Sequence, residues 1–203
     1  MPPTELAGTR RQILEAAEDL IRQRGMGATT TRAIAERAGC AEGTIYRHFP
    51  DKHALLCELV DATFPVFHDL LSGLEGRAGQ GELAATLAEL GMAALGFYRL
   101  VVPLAVVPMG DHDLLEQQRR HFHETGSGPM RTFAYVAGYL RREQERGRLS
   151  AGVSPEHVAR LFLGACFSQA FVEALVGDEA SLGEDEDFVH RTVAALLTGA
   201  GAR

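Results

Sequence analysis

Apolar residues recur along the chain with the three- and four-residue spacing of amphipathic helices. In the segment from Thr9 to Arg24, for example, Ile13, Ala17 and Leu20 fall on one stripe. No segment shows the two-residue alternation of a half-buried strand over a useful length. This helical spacing continues to the end of the chain and predicts an all-α fold of about nine helices.

Local start and stop residues place the ends of these helices. The segment that begins at Thr9 has the form of a capping box, Asp51 is placed as an N-cap, and Ser154 followed by Pro155 begins another helix. Pro65 is expected to kink or end the fourth helix. The predicted helices are 9–24, 31–38, 42–49, 52–64, 82–102, one or two short helices within 103–124, 129–147, 155–176 and 188–197.

Residues 29–56 have the pattern of a helix-turn-helix unit. Such a unit needs a small residue in its first helix, a glycine in the turn and an apolar residue in its second helix. Ala35, Gly39 and Ile45 supply these at spacings of four and six. Hydrogen-bond donors then cluster on and after the second helix, which is typical of a phosphate-binding surface. These donors are Thr44, Tyr46, Arg47, His48 and Lys52.

The stretch AGCAEGTIYRHFPDK, residues 38–52, resembles the signature of the TetR/AcrR family of bacterial transcriptional regulators. The resemblance covers about residues 10–60, and the rest of the chain fits the family in length and helical character. It implies a three-helix DNA-binding domain over 1–50, joined through a linking helix to a helical effector-binding and dimerisation domain over 51–203. The residues implied to contact double-stranded DNA are Arg10, Arg11, Thr31, Arg32, Glu42, Gly43, Thr44, Tyr46, Arg47, His48 and Lys52.

Two residues depart from the family pattern directly after the turn glycine. The family commonly has valine and then serine where this chain has Cys40 and Ala41. Alanine cannot cap a helix, which costs about 1 kcal/mol, and Glu42 partly offsets this through the helix dipole. We expect Cys40 to be a small buried hydrophobe, with a redox sensor as the alternative. Glu42 either accepts a hydrogen bond from a cytosine N4 or points to solvent, and solvent is the expectation.

Aromatic residues are concentrated in the second part of the chain. Twelve of the fourteen follow residue 60, and most of them are expected to form a helical core. A mostly apolar pocket among these helices is the more specific prediction, and it would bind an apolar or amphipathic small molecule. Its candidate lining residues are Phe64, Phe67, His68, Met92, Leu95, Tyr98, Met109, His112, Phe133, Phe167 and Phe171.

Small residues in the segment 159–176 and an apolar stripe in the last helix favour self-association. Equivalent helices form an intersubunit four-helix bundle in the family that the chain resembles, and burial within one subunit is the alternative. The candidate interface residues are Leu161, Gly164, Ala165, Ser168, Phe188, Thr192, Val193 and Leu196. A twofold dimer would match a pseudo-palindromic operator.

The net charge of −7 at first argues against a nucleic-acid partner. Residues 1–52, however, carry eight basic and seven acidic side chains, a net +1, whereas residues 53–203 carry twelve and twenty, a net −8. The acidity therefore belongs to the larger domain. Net charge averages over faces, so the basic groups of the smaller domain are expected on one face, with weak nonspecific DNA affinity.

Other classes of protein have little support in the sequence. The three cysteines lack zinc or redox spacing and are expected to be reduced thiols in a cytoplasmic protein. The longest apolar run, 100–109, is too short to span a membrane. His121 and His123 are two residues apart and point in different directions on a helix, so no metal site is predicted near His112. No cofactor is predicted, and no catalytic grouping indicates an enzyme.

Two charged segments are interpreted as ordinary helix ends. The run from Arg141 to Arg146 is expected to be a solvated helix end, and the acidic run from Glu184 to Asp187 is expected to cap the last helix. The sequence as a whole predicts a homodimeric, ligand-responsive repressor. The alternatives are a DNA-binding protein that senses a partner protein or nothing small, and a helical-bundle enzyme or metal protein.

Overall fold

The computed structural model of the protein describes residues 3–24, 29–110, 112–126, 128–177 and 183–199. These residues form nine α-helices and one short 3₁₀ helix, Val107–Gly110, and contain no strand, which confirms the predicted all-α class. The α-helices are α1 (Pro3–Arg24), α2 (Thr31–Ala38), α3 (Glu42–His48), α4 (Lys52–Arg77), α5 (Leu83–Val106), α6 (His112–Thr125), α7 (Pro129–Glu145), α8 (Pro155–Val176) and α9 (Asp185–Gly199).

The chain divides into two compact units, an N-terminal unit of residues 1–64 and a C-terminal unit of residues 65–203. In the N-terminal unit, α1, α2 and α3 contact one another and α4 contributes buried leucines. Its buried side chains include Ile13, Ala17, Leu20, Ile34, Ile45, Phe49, Leu55 and Leu59. The C-terminal unit has the larger core, in which α5 packs against α8 and α9, and α7 packs against α8.

Three of the predicted helix starts are confirmed by side-chain caps. The hydroxyl of Thr30 accepts a hydrogen bond from the N–H of Ala33 at 3.1 Å, at the start of α2. Asp51 caps α4 in the same way, and its carboxylate accepts a hydrogen bond from the N–H of Ala54 at 2.7 Å. Ser154 caps α8, with Pro155 at the first helical position. Ala41, as expected, offers no side-chain cap to α3.

Two predicted helix boundaries are wrong by more than five residues. The first helix begins at Pro3 rather than Thr9, so Thr9 lies inside α1 and not at its start. The fourth helix does not end at Pro65 but continues to Arg77. A proline inside a helix costs about 3 kcal/mol. Beyond the proline, Phe67, Leu71 and Leu74 keep the helical spacing of buried residues, and their burial offsets that cost.

Helix α5 packs closely against its neighbours at Gly91. A Cβ atom at this position would lie 2.7 Å from Val189 of α9 and 3.3 Å from Phe162 of α8. Because Cβ contacts under 3.0 Å do not occur without displacement of a neighbour, a glycine is needed for this packing.

A buried carboxylate joins α7 to the turn between α4 and α5. The segment from Arg141 to Arg146 is a mostly exposed helix end, as predicted, but Glu143 within it is fully buried, which the prediction did not foresee. One carboxylate oxygen accepts a hydrogen bond from the N–H of Gly79 at 2.9 Å. The Nε of Arg148 lies 3.2 Å from the other oxygen, close enough for an ion pair but not aligned for a hydrogen bond. Burial raises the pKa of the neighbouring Tyr139 to about 12.

Arg99 of α5 holds two carboxylates from different helices. Its guanidinium donates two hydrogen bonds to Glu173 of α8, at 2.8 and 3.0 Å, and two to Asp185 of α9, at 2.5 and 2.6 Å. These hydrogen bonds to Arg99 hold the pKa values of Glu173 and Asp185 below their usual range. The acidic start of α9 is therefore tied to α5 and α8 as well as being placed favourably for the helix dipole.

Two helices have the length and apolar composition that a membrane span requires, contrary to the expectation from the sequence. They are Leu83–Pro103 of α5 and Pro155–Val176 of α8. Both contribute many side chains to the core of the C-terminal unit, and half of the α5 window is buried there. A core helix of a globular protein has the same composition, and burial within the unit accounts for much of the apolar character of α5. The α8 window is only 39% buried, so α8 also keeps an exposed apolar surface.

Candidate nucleic-acid interface

The helix-turn-helix unit is held by the three residues that the sequence predicted. Ala35 and Ile45 are buried at 3% and 0% exposure, between the two helices and α1. Gly39 adopts the left-handed conformation with φ 69°, and its N–H donates to the carbonyls of Ala35 and Glu36. A left-handed residue with these hydrogen bonds is the ordinary end of a helix before a sharp turn. The turn directs α3 away from α2 with its outer face uncovered.

A chain of hydrogen bonds links the start of α2 to α3. The hydroxyl of Thr31 donates to Oε1 of Glu42 at 2.6 Å, and the Tyr46 hydroxyl lies 3.4 Å from the same Thr31 oxygen. Because a threonine hydroxyl has one proton, Tyr46 must be the donor in the second contact. Thr31 and Glu42 are both implied DNA contacts, and here they bind each other. Nothing in their local sequence predicts this pair.

The outer face of α3 presents Gly43, Tyr46 and Arg47 to solvent. The Tyr46 side chain is 52% exposed, a large value for an aromatic residue. Arg47 is exposed and makes no hydrogen bond or ion pair with the described residues. A Cβ atom at Gly43 would meet nothing within 4 Å. A cation, a hydroxyl and an open stretch of backbone therefore lie together on one exposed helical surface.

Replacing Gly43 with alanine is expected to stabilise the protein by about 0.5–1 kcal/mol, because glycine is unfavourable inside a helix by that amount. The same change should weaken DNA binding if a base or phosphate approaches the α3 backbone at this position. Thermal unfolding and DNA titration of one preparation measure the two effects. A variant that is more stable and binds DNA unchanged would contradict the close approach.

Arg10 is partly exposed, but its guanidinium is held by other residues of the N-terminal unit. Its guanidinium forms a bidentate ion pair with Glu58 of α4 and donates a hydrogen bond to the carbonyl of His48 at 3.3 Å. It also lies over the Phe49 ring, 4.8 Å from the ring centroid. The hydrogen bonds that Arg10 donates to Glu58 raise the pKa of Arg10. The structure therefore gives Arg10 a positioning function, in which it joins α1 and α4 to the carboxyl end of α3.

The other implied DNA contacts range from exposed to half-buried. Arg11 pairs with Glu15 at 3.4 Å and Arg32 with Glu36 at 3.2 Å, and both pairs are mostly exposed. Exposed ion pairs of this kind contribute little to stability, so each arginine can readily leave its glutamate and bind a phosphate instead. Thr44, His48 and Lys52 are half-buried at the edges of α3 and α4. Cys40 in the turn is also half-buried, and burial raises the pKa of its thiol.

Some of the predicted pocket residues come together in the C-terminal unit. Phe67 stacks on Phe97 at 4.8 Å between ring centroids, and Tyr98 meets Phe167 edge-on at 5.6 Å. Phe171 continues the series at 6.1 Å from Phe167. We call these five residues the ring cluster. Sequence reasoning missed Phe97, whose only signal was its position beside Tyr98 in a helix rich in apolar residues.

Other predicted pocket residues lie elsewhere. Met92, Met109 and His112 are exposed, with Met109 reaching 70%. The Phe133 ring is covered by the guanidinium of Arg160 at 5.2 Å instead of joining the ring cluster. Leu95 belongs to the buried core. The side chains of Phe64 and His68, and that of His121 among the histidines considered for a metal, lie outside the described residues.

One face of α8 carries an unpartnered apolar stripe. Leu161, Ala165, Ser168, Val172 and Leu175 follow one another at spacings of three and four, and we call them the α8 stripe. Leu161 and Leu175 are 66% and 69% exposed. Val172 and Leu175 were missed by sequence reasoning, although they continue the spacing that begins at Leu161. Gly164 is half-buried beside the stripe.

The predicted stripe on α9 is only partly available. Val193 is 2% exposed inside its own unit, which leaves it no surface to offer to a second copy. Phe188 and Leu196 are half-buried and pack against the same core. Thr192 is half-buried. The face that α9 can add to an interface is therefore narrower than its apolar composition indicates.

Comparison with known proteins agrees with this architecture. The model for bacterial regulatory proteins of the tetR family matches residues 13–59, and that for the C-terminal domain of AefR-like transcriptional repressors matches residues 85–199. The HTH-type transcriptional regulator YvkB of Bacillus subtilis (strain 168) is 25% identical over 96% of this chain and 98% of its own length.

Two solved structures share the fold over nearly their whole length. One is the fatty acid degradation regulator FadR from Bacillus halodurans, with a TM-score of 0.62, 17% identity, and coverage of 100% of this chain and 99% of that one. The other is Thermus thermophilus FadR, a TetR-family transcriptional repressor in complex with lauroyl-CoA, with a TM-score of 0.58, 24% identity and 96% coverage of each chain. The helix-turn-helix unit and the helical C-terminal unit are thus matched separately, and the chain belongs to the TetR family of transcriptional regulators.

Proposed function

We propose that this regulator is a homodimeric repressor that binds a pseudo-palindromic DNA operator and is released by an apolar or amphipathic small molecule. The observation that carries the proposal is the outer face of α3. Tyr46 and Arg47 are exposed on this face, while the neighbouring Ile45 is fully buried and anchors the helix to its unit. A surface of this kind fits the major groove, since donors reach base edges and phosphates from a helix that packing holds rigid. A cytoplasmic location follows for a protein that acts on the bacterial chromosome.

The α8 stripe supports the dimer. Ser168 is the midpoint between Leu161 and Leu175, so a twofold axis near Ser168 would bring the small central residues together and place the leucines on either side. A stripe of small residues flanked by large apolar ones lets two helices approach closely. The stripe is long for a monomer surface, because Leu161 to Leu175 spans about 21 Å at the rise of an α-helix.

The ring cluster supports an apolar effector. Four predicted residues, with Phe97, form contacts between aromatic rings from α4, α5 and α8. Tyr98 adds a single hydroxyl, and burial raises the pKa of this group, so it is neutral at physiological pH and can orient a polar group of a ligand. The related fold of Thermus thermophilus FadR was solved with lauroyl-CoA, which makes acyl chains the first compounds to test.

Release requires an effector that binds one arrangement of the dimer better than another. Helix α4 is the natural connection, because it contributes buried Leu55 and Leu59 to the N-terminal unit and buried Leu71 and Leu74 to the C-terminal unit. An effector that shifts α4 would change the spacing of the two α3 helices, and the dimer would then engage only one half-site at a time.

Titration of DNA that flanks the gene tests the proposal. Arg47→Ala is expected to weaken binding about 30-fold, because each of two subunits loses a contact worth about 1 kcal/mol. The matched control is Arg37→Ala, since Arg37 is an exposed arginine of α2 whose side chain donates to Gln23 of α1 at 2.8 Å. Equal affinities for the Arg47 and Arg37 variants would exclude α3 as the DNA-binding surface.

The same complex tests the effector. Saturated fatty acids and acyl-CoAs of increasing chain length are added to the DNA-bound protein, and an effector is expected to weaken binding at least tenfold. Phe167→Ala should shift the concentration needed for release without changing DNA affinity in its absence. Release by none of a broad panel of apolar compounds would instead support a regulator that senses no small molecule.

A further inference from the structure

We propose that Glu42 selects a cytosine at one position of each operator half-site, with Thr31 acting as its positioning residue. The inference rests on the proposed function, because it concerns which base the α3 surface prefers. It begins from the hydrogen-bond chain between α2 and α3, which gives Glu42 a fixed orientation that neither helix supplies alone.

The orientation follows from counting protons. Tyr46 donates to the Thr31 oxygen, and Thr31 uses its one proton to donate to Oε1 of Glu42 at 2.6 Å. Glu42 and Tyr46 are four residues apart and so lie on the same side of α3. Oε2 of Glu42 makes no hydrogen bond or ion pair with the described residues. The carboxylate is therefore held at one oxygen and presents the other as a hydrogen-bond acceptor on an exposed surface.

A fixed acceptor distinguishes the bases of the major groove. Guanine presents N7 and O6 there and thymine presents O4, all of them acceptors that a carboxylate repels. Adenine presents a donor at N6 beside an acceptor at N7, so the second atom opposes the contact. Cytosine presents only its N4 amino group, which donates. The residue type and its orientation together favour cytosine over the other three bases.

The charge of Glu42 acts in the same direction. Glu42 forms no ion pair with the described residues, and the nearby Arg32 is paired with Glu36 instead. An uncompensated carboxylate on a DNA-facing surface repels phosphates, and this weakens binding to every sequence. The loss is recovered only where the cytosine contact forms, so Glu42 contributes to discrimination between sequences more than to affinity.

The experiment is selection of bound duplexes from a random library, followed by sequencing. The wild-type protein should enrich cytosine at one position of each half-site. Glu42→Gln should change that position to adenine, because an amide binds the N6 and N7 atoms of adenine together. Duplexes that differ at this one base pair should differ about tenfold in affinity for the wild type.

Two further variants separate positioning from folding. Thr31→Val keeps the shape of the side chain but removes the hydroxyl, and it should reduce the preference for cytosine at that position while leaving the other selected positions unchanged. Glu36→Gln is the matched control, since it removes one negative charge from the exposed surface of α2 and should leave the selected motif as it is.

The outcomes that overturn the inference are distinct. If Glu42→Gln selects the same motif as the wild type, Glu42 reads no base, and the proposed function stands. If Thr31→Val weakens binding to all duplexes equally and leaves the base preference at every position unchanged, Thr31 supports the fold rather than orienting Glu42. If the wild-type protein enriches no motif, the proposed function fails and this inference fails with it.

Discussion

An arginine in place of Ser168 is expected to convert the proposed dimer into a monomer and to lower operator affinity more than 100-fold. Ser168 is exposed at the midpoint of the α8 stripe, so the two introduced charges would meet near the twofold axis in an apolar interface. Unpaired charge buried in this way is strongly unfavourable. A monomer engages one half-site at a time and loses the avidity that linked binding provides. Light scattering gives the mass, and DNA titration gives the affinity.

Ser72→Arg is the matched control, because Ser72 is an exposed serine on α4. This variant should remain dimeric and bind the operator normally. Ser168→Cys provides a positive test, since mild oxidation should link two copies through a disulfide if the axis passes close to the residue. The native Cys166 is 1% exposed and should not react under the same conditions. A Ser168→Arg protein that is still dimeric at micromolar concentration would place the interface on another surface.

Replacing Glu143 with alanine is expected to lower the free energy of unfolding by about 3 kcal/mol, because removal of one partner leaves a buried charge uncompensated. The N–H of Gly79 would lose its acceptor, and Arg148 would lose its ion-pair partner, inside the C-terminal unit. For a protein of this size the melting temperature should fall by roughly 6–12 °C. Thermal unfolding followed by circular dichroism measures the change.

Two comparisons identify the cause of this loss. Glu143→Gln keeps an oxygen for the N–H of Gly79 but no charge for Arg148, so it should be less damaging than alanine. Glu145→Ala removes an exposed glutamate two residues away on α7 and should change stability by no more than about 0.5 kcal/mol. Equal melting temperatures for the alanine variants at 143 and 145 would show that the buried carboxylate does not stabilise the unit.

The sequence predicted best those features that depend on neighbouring residues. Asp51 and Ser154 cap the helices they precede, as predicted, because an N-cap needs only a side-chain oxygen and the next three residues. Gly39 was predicted for the same reason, since a left-handed turn residue is a local requirement. Local rules also explain the failure at Pro65, where they give the cost of a proline but not the burial that offsets it.

The parts that sequence reasoning missed depend on residues brought together from a distance. Glu58 is 48 residues from Arg10, and their ion pair gives an implied DNA contact a structural function. Glu143 was assigned to solvent because charged residues surround it, and its partner Gly79 is 64 residues away. The pair formed by Thr31 and Glu42 spans two helices whose relative angle no local pattern provides.

The ion pairs of Arg99 with two carboxylates should help the protein tolerate acid. Because Glu173 and Asp185 have pKa values below their usual range, they remain ionised as the pH falls below the point where ordinary carboxylates protonate. Their contribution to stability is complete above the pKa values of the unfolded chain, about 4, and is lost only as the pH falls through their lower folded values. The attachment of α9 to α5 and α8 should thus persist through mild acidification, when less tightly held surface pairs are already losing their charge.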